Sequence, residues 1–406
     1  MTTALPEVGP GKAAHQADRE ALLATARALG PLIREHANMA EQRRRLAPEV
    51  IAGLRQSGLF RLLLPRSLGG LEVDPVTCSI VVEEIAGFDS CAGWALQAGN
   101  SGAWWSARLP TEGVMEIYGD DPSAAMSAAF HPPQQAVETA GGYRVTGRGP
   151  LASNIHDAEW IFLTALVMEG DRPRMVGEAP MVIALVLRTS EVTIVDTWHS
   201  LGMRGTDSHD VVMDGVFVPR TRTFPFTPEF EPSAHHRGPL YQLPGIAGGS
   251  FLIAPVPLAV AMGAIRELKA VAEKKTALGF TRPLRDRNTV QASVARGEAM
   301  LRAARLLYYH TLETAWGRAV RGERFTLEQK ADLLLAATHA ATTSAKVTDM
   351  MHRLAGTTGI YARSPLERHF RDAETLRHHG ILCENRFETV GQVYLGVQPE
   401  FPLVAL

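Results

Sequence analysis

The chain has 406 residues, 46% of them hydrophobic and 21% charged, which suits two or three domains with substantial cores and excludes a disordered tether. A formal net charge of −2 leaves no electrostatic footprint for nucleic acid or for an acidic membrane surface. Cys78, Cys91 and Cys383 are odd in number and lack metal-ligand spacing, so neither a disulfide framework nor a metal is expected, and the setting reads as reducing and cytoplasmic.

Met1 to Gly11 lacks the charged-then-apolar order of a secretory signal. From Asp18 to about Met39 the positions Leu22, Ala26, Leu29 and Ile33 recur at helical spacing on one face. A second helix is expected from Pro48, whose missing N–H costs nothing in a first turn, to Gly58. Leu68 to Leu71 reads as a loop, and helical patterning resumes at Ser79 to Ala86 and Cys91 to Leu96. Within this region Glu83 and Glu84 diverge by about 100° on a helix, which suits a solvated or salt-bridged face better than a shared acid–base role.

After Asp121-Pro122 the period changes. Tyr143 to Thr146, Trp160 to Met168, Met181 to Leu187, Val192 to Val195 and Val211 to Val218 read as short strands punctuated by glycine and proline, as in a compact antiparallel sandwich or barrel. A connector from Val218 to Pro244 leads back to helix. Gly245 to Ile265 carries no charge over 21 residues, long enough for a bilayer, but Pro255, Pro257 and four glycines favour a helix buried in a bundle. Arg287 to Arg318 and Leu327 to Leu354 are long periodic segments, the second opened by a capping box between Thr326 and Gln329. The chain divides into helices over 1–122, a sheet over 123–235 and helices over 236–406, an α+β organisation.

Two loops offer chemistry. Val145 to His156 is strand, glycine turn and short strand, ending in Ser153 and Asn154, which serve equally as turn residues or as hydroxyl and N–H donors to a ligand. Trp198 to Ser208 places Thr206 and Ser208 in a glycine turn suited to an anion or a ring edge, with Arg204 expected to pair with a carboxylate of the sheet. His378 and His379 carry imidazoles that titrate near pH 6.5 and suit proton transfer; an idle surface pair is the alternative. His131 and His156 flank the first loop as polar loop residues, and His235-His236 lacks a third ligand. Trp94, Trp104 and Trp105 read as core. No strand is followed by Gly-x-Gly-x-x-Gly, so the chain shows no nicotinamide fingerprint of its own.

The stretch from Leu354 to Gly380, with Gly356, Thr357, Gly359, Arg371 and Asp372 in frame, resembles the acyl-CoA dehydrogenase superfamily segment that closes over the flavin. The order of helices, sheet and helices resembles that superfamily over nearly the whole chain: an N-terminal helical domain, a middle β-domain and a C-terminal four-helix bundle. Where many dehydrogenases carry the catalytic glutamate, eight residues past the aspartate, this chain has Gly380, and no Glu or Asp lies between Glu231 and Glu267 to replace it. Ser364-Pro-Leu-Glu-Arg-x-x-Arg-Asp372 with His379 beyond it is instead similar to the flavin-dependent monooxygenases of this fold, such as p-hydroxyphenylacetate hydroxylase oxygenase components. That resemblance implies reduced FMN or FAD delivered by a separate flavin reductase, dioxygen as co-substrate, a flavin hydroperoxide, an aromatic or heteroaromatic substrate and a homotetramer. It implies cofactor contacts at Phe130, Leu151, Ser153, Asn154, Thr206, Ser208, Arg353, Gly356 and Thr357, and catalysis by His379, Ser153 and His378.

Overall fold

A computed structural model describes residues 10–406, with side chains described from Asp18 onward; most of the Met1 to Gly11 segment lies outside the described residues. The first layer is α1 (Pro10–Arg43), α2 (Pro48–Gln56), α3 (Pro75–Ala86), α4 (Ser90–Trp105) and α5 (Thr111–Tyr118). Proline opens α2 and α3 at positions where no N–H is needed, and the Asp74 and Asp89 carboxylates cap α3 and α4 by accepting from Thr77 N at 2.9 Å and Ala92 N at 3.0 Å.

The chain then forms β1 (Met126–Thr139), β2 (Gly142–Ala152), β3 (Trp160–Glu169), β4 (Val182–Arg188), β5 (Thr193–Val195), β6 (His209–Pro219) and β7 (Thr223–Pro225). They build one sheet in the order β7-β4-β3-β1-β2-β6-β5, in which only β1 and β3 run parallel. Alternate residues such as Val145, Ile161, Leu163, Leu185 and Val211 turn into a private β-core. The longest strand, β1, was not expected from the sequence. Its Ser127-Ala-Ala129 run and Pro132-Pro133 are poor strand formers, and its register with β3 shifts between Ala129 and Gln134. Pairing on both sides overrides the local preference.

The third layer holds α6 (Gly245–Ile253), α7 (Pro255–Lys274), α8 (Asn288–Val320), α9 (Leu327–Ala355), α10 (Pro365–Leu376) and α11 (Arg386–Tyr394). The uncharged segment expected as one helix is two, broken at Ala254 because Pro255 cannot continue the hydrogen-bond ladder. It is apolar enough to cross a membrane, yet 89% of its most apolar window is buried within the fold. The capping box stands as expected: Gln329 N donates to Thr326 Oγ1 at 3.3 Å and Thr326 N to Gln329 Oε1 at 3.1 Å. Glu83 and Glu84 are both salt-bridged, but only Glu84 faces the surface side, towards Arg27; Glu83 is buried and gripped by both arms of Arg305, which ties α3 to α8.

Candidate active site

Ser153, Asn154, Thr206 and Ser208 lie in two loops that the sheet brings side by side. Asn154 N donates to Thr206 O at 2.7 Å, and the Ser153 and Ser208 hydroxyls are 2.8 Å apart. Behind them Thr206 Oγ1 is 2.7 Å from Ser208 Oγ and donates to the Met203 carbonyl at 2.8 Å. Thr206 and Ser208 are buried and Ser153 is half-buried, so of the three hydroxyls Ser153 is the one open to a ligand. The loops are strained: Leu151, Asn154, Met203 and Asp207 all have φ between 53° and 62°, a region that side chains avoid. Leu151 is also 60% exposed, an apolar side chain held in the open beside Ser153, as a platform for a ligand face would be.

Asp207 joins the two loops. Its buried carboxylate accepts from His156 Nδ1 at 2.8 Å, from His156 N at 2.9 Å and from His209 Nε2 at 3.2 Å. Three metal-ligating side chains therefore converge here, a cluster the sequence did not reveal because Asp207 stands far from His156 in the chain. Its hydrogen bonding is that of a clamp rather than an ion cage. His209 Nδ1 accepts from the N–H groups of Thr197 and Trp198, at 3.1 and 3.2 Å, so the neutral ring carries its proton on Nε2, where an ion would need the lone pair. Burial lowers His209's pKa and favours that neutral ring. His236 is likewise spoken for: it bonds Ser106 and Ser233, and burial pushes it down to about 3.

The second wall comes from α4 and the turn after α10. Trp94 Nε1–H donates to Ser153 Oγ at 3.0 Å, and its ring meets His379 edge-on with centroids 5.4 Å apart. The turn is anchored through Asp372, which accepts from Met203 N and from Ser90 Oγ, each at 2.6 Å. Gly202 makes this approach possible, because a Cβ there would stand 2.2 Å from the Arg371 carbonyl. Arg371 is not free for an anion either: it pairs with Glu367 at 2.6 Å and Glu41 at 2.7 Å. Arg204 pairs with Glu41 of α1, not with a carboxylate of the sheet as expected.

The helix stops at Leu376, and His378 and His379 sit in the turn beyond it. The expectation of an imidazole titrating near pH 6.5 is corrected at His379. Burial pushes His379 down to about 4, far below the 6.5 of a free imidazole, so it is neutral across the physiological range. Ile381 N donates to His379 Nδ1 at 3.3 Å, which leaves the proton on Nε2. His379 offers a donor. His378 is exposed, as are His131 and His156.

The family models for the acyl-CoA dehydrogenase N-terminal and C-terminal domains match residues 16–113 and 251–384. Indole-3-acetate monooxygenase of Pseudomonas putida is 31% identical over 90% of this chain and 92% of its own length. The chain belongs to the flavin-dependent monooxygenase branch of the acyl-CoA dehydrogenase superfamily. The oxygenase component of an FADH2-dependent resorcinol hydroxylase from a Rhizobium strain is 25% identical over 91% of this chain and 92% of its own. The solved structure of XiaF from a Streptomyces species, in complex with FADH2 and glycerol, superposes with a TM-score of 0.91 at 24% identity, covering 97% of this chain and 100% of that one.

Against this monooxygenase frame, the other expected contacts separate from the Ser153 site. Phe130 points its ring into an aromatic cluster with Trp105, Phe162 and Phe226. Arg353 is exposed and paired with Asp349 at 2.8 Å. The Gly356 turn ends α9 at φ 53° and is held by Lys275 Nζ, which donates to Ala355 O at 2.6 Å and Thr358 Oγ1 at 2.9 Å; Thr357 is exposed beside it. No hydrogen bond among the described residues joins this turn to the Ser153 and Thr206 loops. The contact that sequence reasoning missed is Trp94: it is buried, as expected of a core residue, yet its indole N–H turns to Ser153, a pairing that no pattern in the sequence marks.

Proposed function

We propose that this protein is the oxygenase component of a two-component system, taking reduced FMN or FAD from a separate flavin reductase and oxygenating an aromatic or heteroaromatic small molecule. The observation that carries the reading is Gly380: no carboxylate stands at this position next to His379, and a Cβ built there meets nothing within 4 Å. His379 in turn meets Trp94, which donates to Ser153. A site without a carboxylate base does not suit removal of an α-proton from a thioester; one with a neutral imidazole donor suits oxygenation.

Exposed Leu151 and half-buried Ser153 fit a flat heteroaromatic group that needs apolar cover on its face and one polar partner at its edge. Reduced flavin, when bound, supplies the electrons that activate dioxygen. Ser153 holds the ring edge, and Trp94 fixes Ser153. His379 holds a proton at Nε2, from which an oxygen of the substrate takes a hydrogen bond that strengthens as charge develops on that oxygen. Trp94 and the buried face of α4 exclude water from the reacting groups.

The protein acts as a cytoplasmic homotetramer in this reading. Support for association between copies comes from apolar side chains left in the open in the C-terminal layer, among them Leu306 of α8 at 70% and Leu395 just past α11 at 82% exposure, and from the Gly356 and Thr357 turn, which is exposed to a neighbouring copy.

The test is turnover with chemically reduced FMN or FAD under labelled dioxygen and a panel of indoles and phenols, with mass spectrometry of the products. One labelled oxygen atom per product is expected. Oxidation of an acyl-CoA thioester by a dye acceptor, with no label in any aromatic product, would overturn the reading.

A further inference from the structure

The three hydroxyls behind the first loop stand in a line that has a direction. At its outer end the Trp94 indole N–H, which only donates, points at Ser153 Oγ from 3.0 Å. At its inner end the Met203 carbonyl, which only accepts, lies 2.8 Å from Thr206 Oγ1. Between them are the Ser153–Ser208 and Ser208–Thr206 contacts, 2.8 and 2.7 Å long. Three hydroxyl hydrogens must fill three contacts, and one assignment puts a hydrogen in each: Thr206 donates to Met203 O, Ser208 to Thr206 and Ser153 to Ser208. The alternative acceptor for Ser208, the Thr206 carbonyl, is at 3.5 Å and competes poorly.

Ser153 thus directs its hydrogen inward, accepts from Trp94 with one lone pair, and has its second lone pair left for a ligand. The central-ring nitrogen of a reduced flavin carries a hydrogen, and that of an oxidised flavin is bare. The geometry points to Thr206 as a positioning residue that, through Ser208, presents Ser153 as an acceptor and makes the site select reduced flavin over oxidised; this rests on the oxygenase reading above. To serve the oxidised ring Ser153 must turn its hydrogen outward, which leaves two hydrogens for the three contacts, so one contact is lost whichever way Ser208 turns. Trp94 permits either direction, so the discrimination is that one lost contact, and it exists because Thr206, bonded to Met203 O, gives Ser208 an inward partner. One hydrogen bond of ordinary strength sets it at about fivefold.

The experiment is anaerobic titration of the full-length protein with FMN, oxidised and dithionite-reduced, repeated with FAD. Thr206→Val should shrink the ratio of oxidised to reduced Kd about fivefold, which lowers the two-electron potential of bound flavin by about 20 mV. Thr206→Ser, which keeps the hydroxyl, should retain the wild-type ratio. With 5-deaza-FMN, whose ring has carbon in that position and no N–H when reduced, the wild-type protein should lose the same fivefold. An unchanged ratio in a folded Thr206→Val variant overturns the inference. So does undiminished preference for reduced 5-deaza-FMN, which decides the matter if the variant does not fold. Failure of the wild-type protein to bind either flavin in either redox state would instead sink the oxygenase reading itself.

Discussion

The imidazole of His379 meets the indole of Trp94 edge-on at 5.4 Å between ring centroids, and the same indole donates to Ser153. One tryptophan therefore links the proposed proton-holding side chain to the proposed flavin-facing hydroxyl. Burial and the Ile381 N–H make His379 a neutral Nε2–H donor.

Replacing His379 by alanine should lower product formed per flavin oxidised by on the order of a hundredfold, the usual cost of losing one aimed donor. The oxygen so lost appears as hydrogen peroxide. Because burial holds the ring down to about 4, coupling in the wild type should show no inflection from this group between about pH 6 and 8. A titration near pH 6.5 that disappears in His379→Ala would contradict the donor assignment. His378→Ala, at an exposed position, should leave coupling unchanged.

The clamp at Asp207 makes a separate prediction. Asp207→Asn keeps one acceptor oxygen but turns an amide N–H towards His156 and His209 donors, so the folded state should lose about 1–3 kcal/mol, read from the denaturation midpoint. Dialysis against EDTA should change neither stability nor flavin binding. A chelator effect matching that of the substitution would mean that the three side chains hold an ion after all.

Asp372 gives a pH signature of defined sign. Burial, reinforced by Asp89 and Glu41, raises its carboxyl to about 6 despite the hydrogen bonds from Met203 and Ser90. A raised carboxyl pKa means that the folded state prefers the proton. The stability this contributes is complete below the ordinary carboxylate range and is lost as the pH rises through about 6. Asp372→Asn is neutral throughout and can still accept from Met203 and donate to Ser90. Its stability relative to wild type should therefore improve between about pH 4 and 7. A difference that stays flat, or moves the other way, counts against a buried protonated Asp372.

Glu83 and Arg305 test the α3–α8 junction. Arg305→Met strips the buried carboxylate of its bidentate partner and should cost about 3–5 kcal/mol, whereas adding Glu83→Leu to it should recover much of that loss. Chemical denaturation of the single and double variants checks the order. A double variant no more stable than the single would show that the pair is not what makes the single variant costly.

The sequence alone determined the order of helices, sheet and helices, the Thr326 capping box and the buried fate of Gly245 to Ile265, because periodicity and caps are written within a few turns of chain. It also has Gly380, and no carboxylate, where the resemblance to the dehydrogenases puts their base. Tertiary structure decided the rest. β1 forms against its local propensity because strands on both sides pair with it. Trp94 and Ser153 are 59 residues apart, and His156 and Asp207 51 apart, distances over which no local pattern constrains contact. The charge and tautomer of His379 likewise depend on burial and on one backbone N–H. A titrating base in the sequence is a neutral donor in the fold, because a pKa belongs to a residue's surroundings.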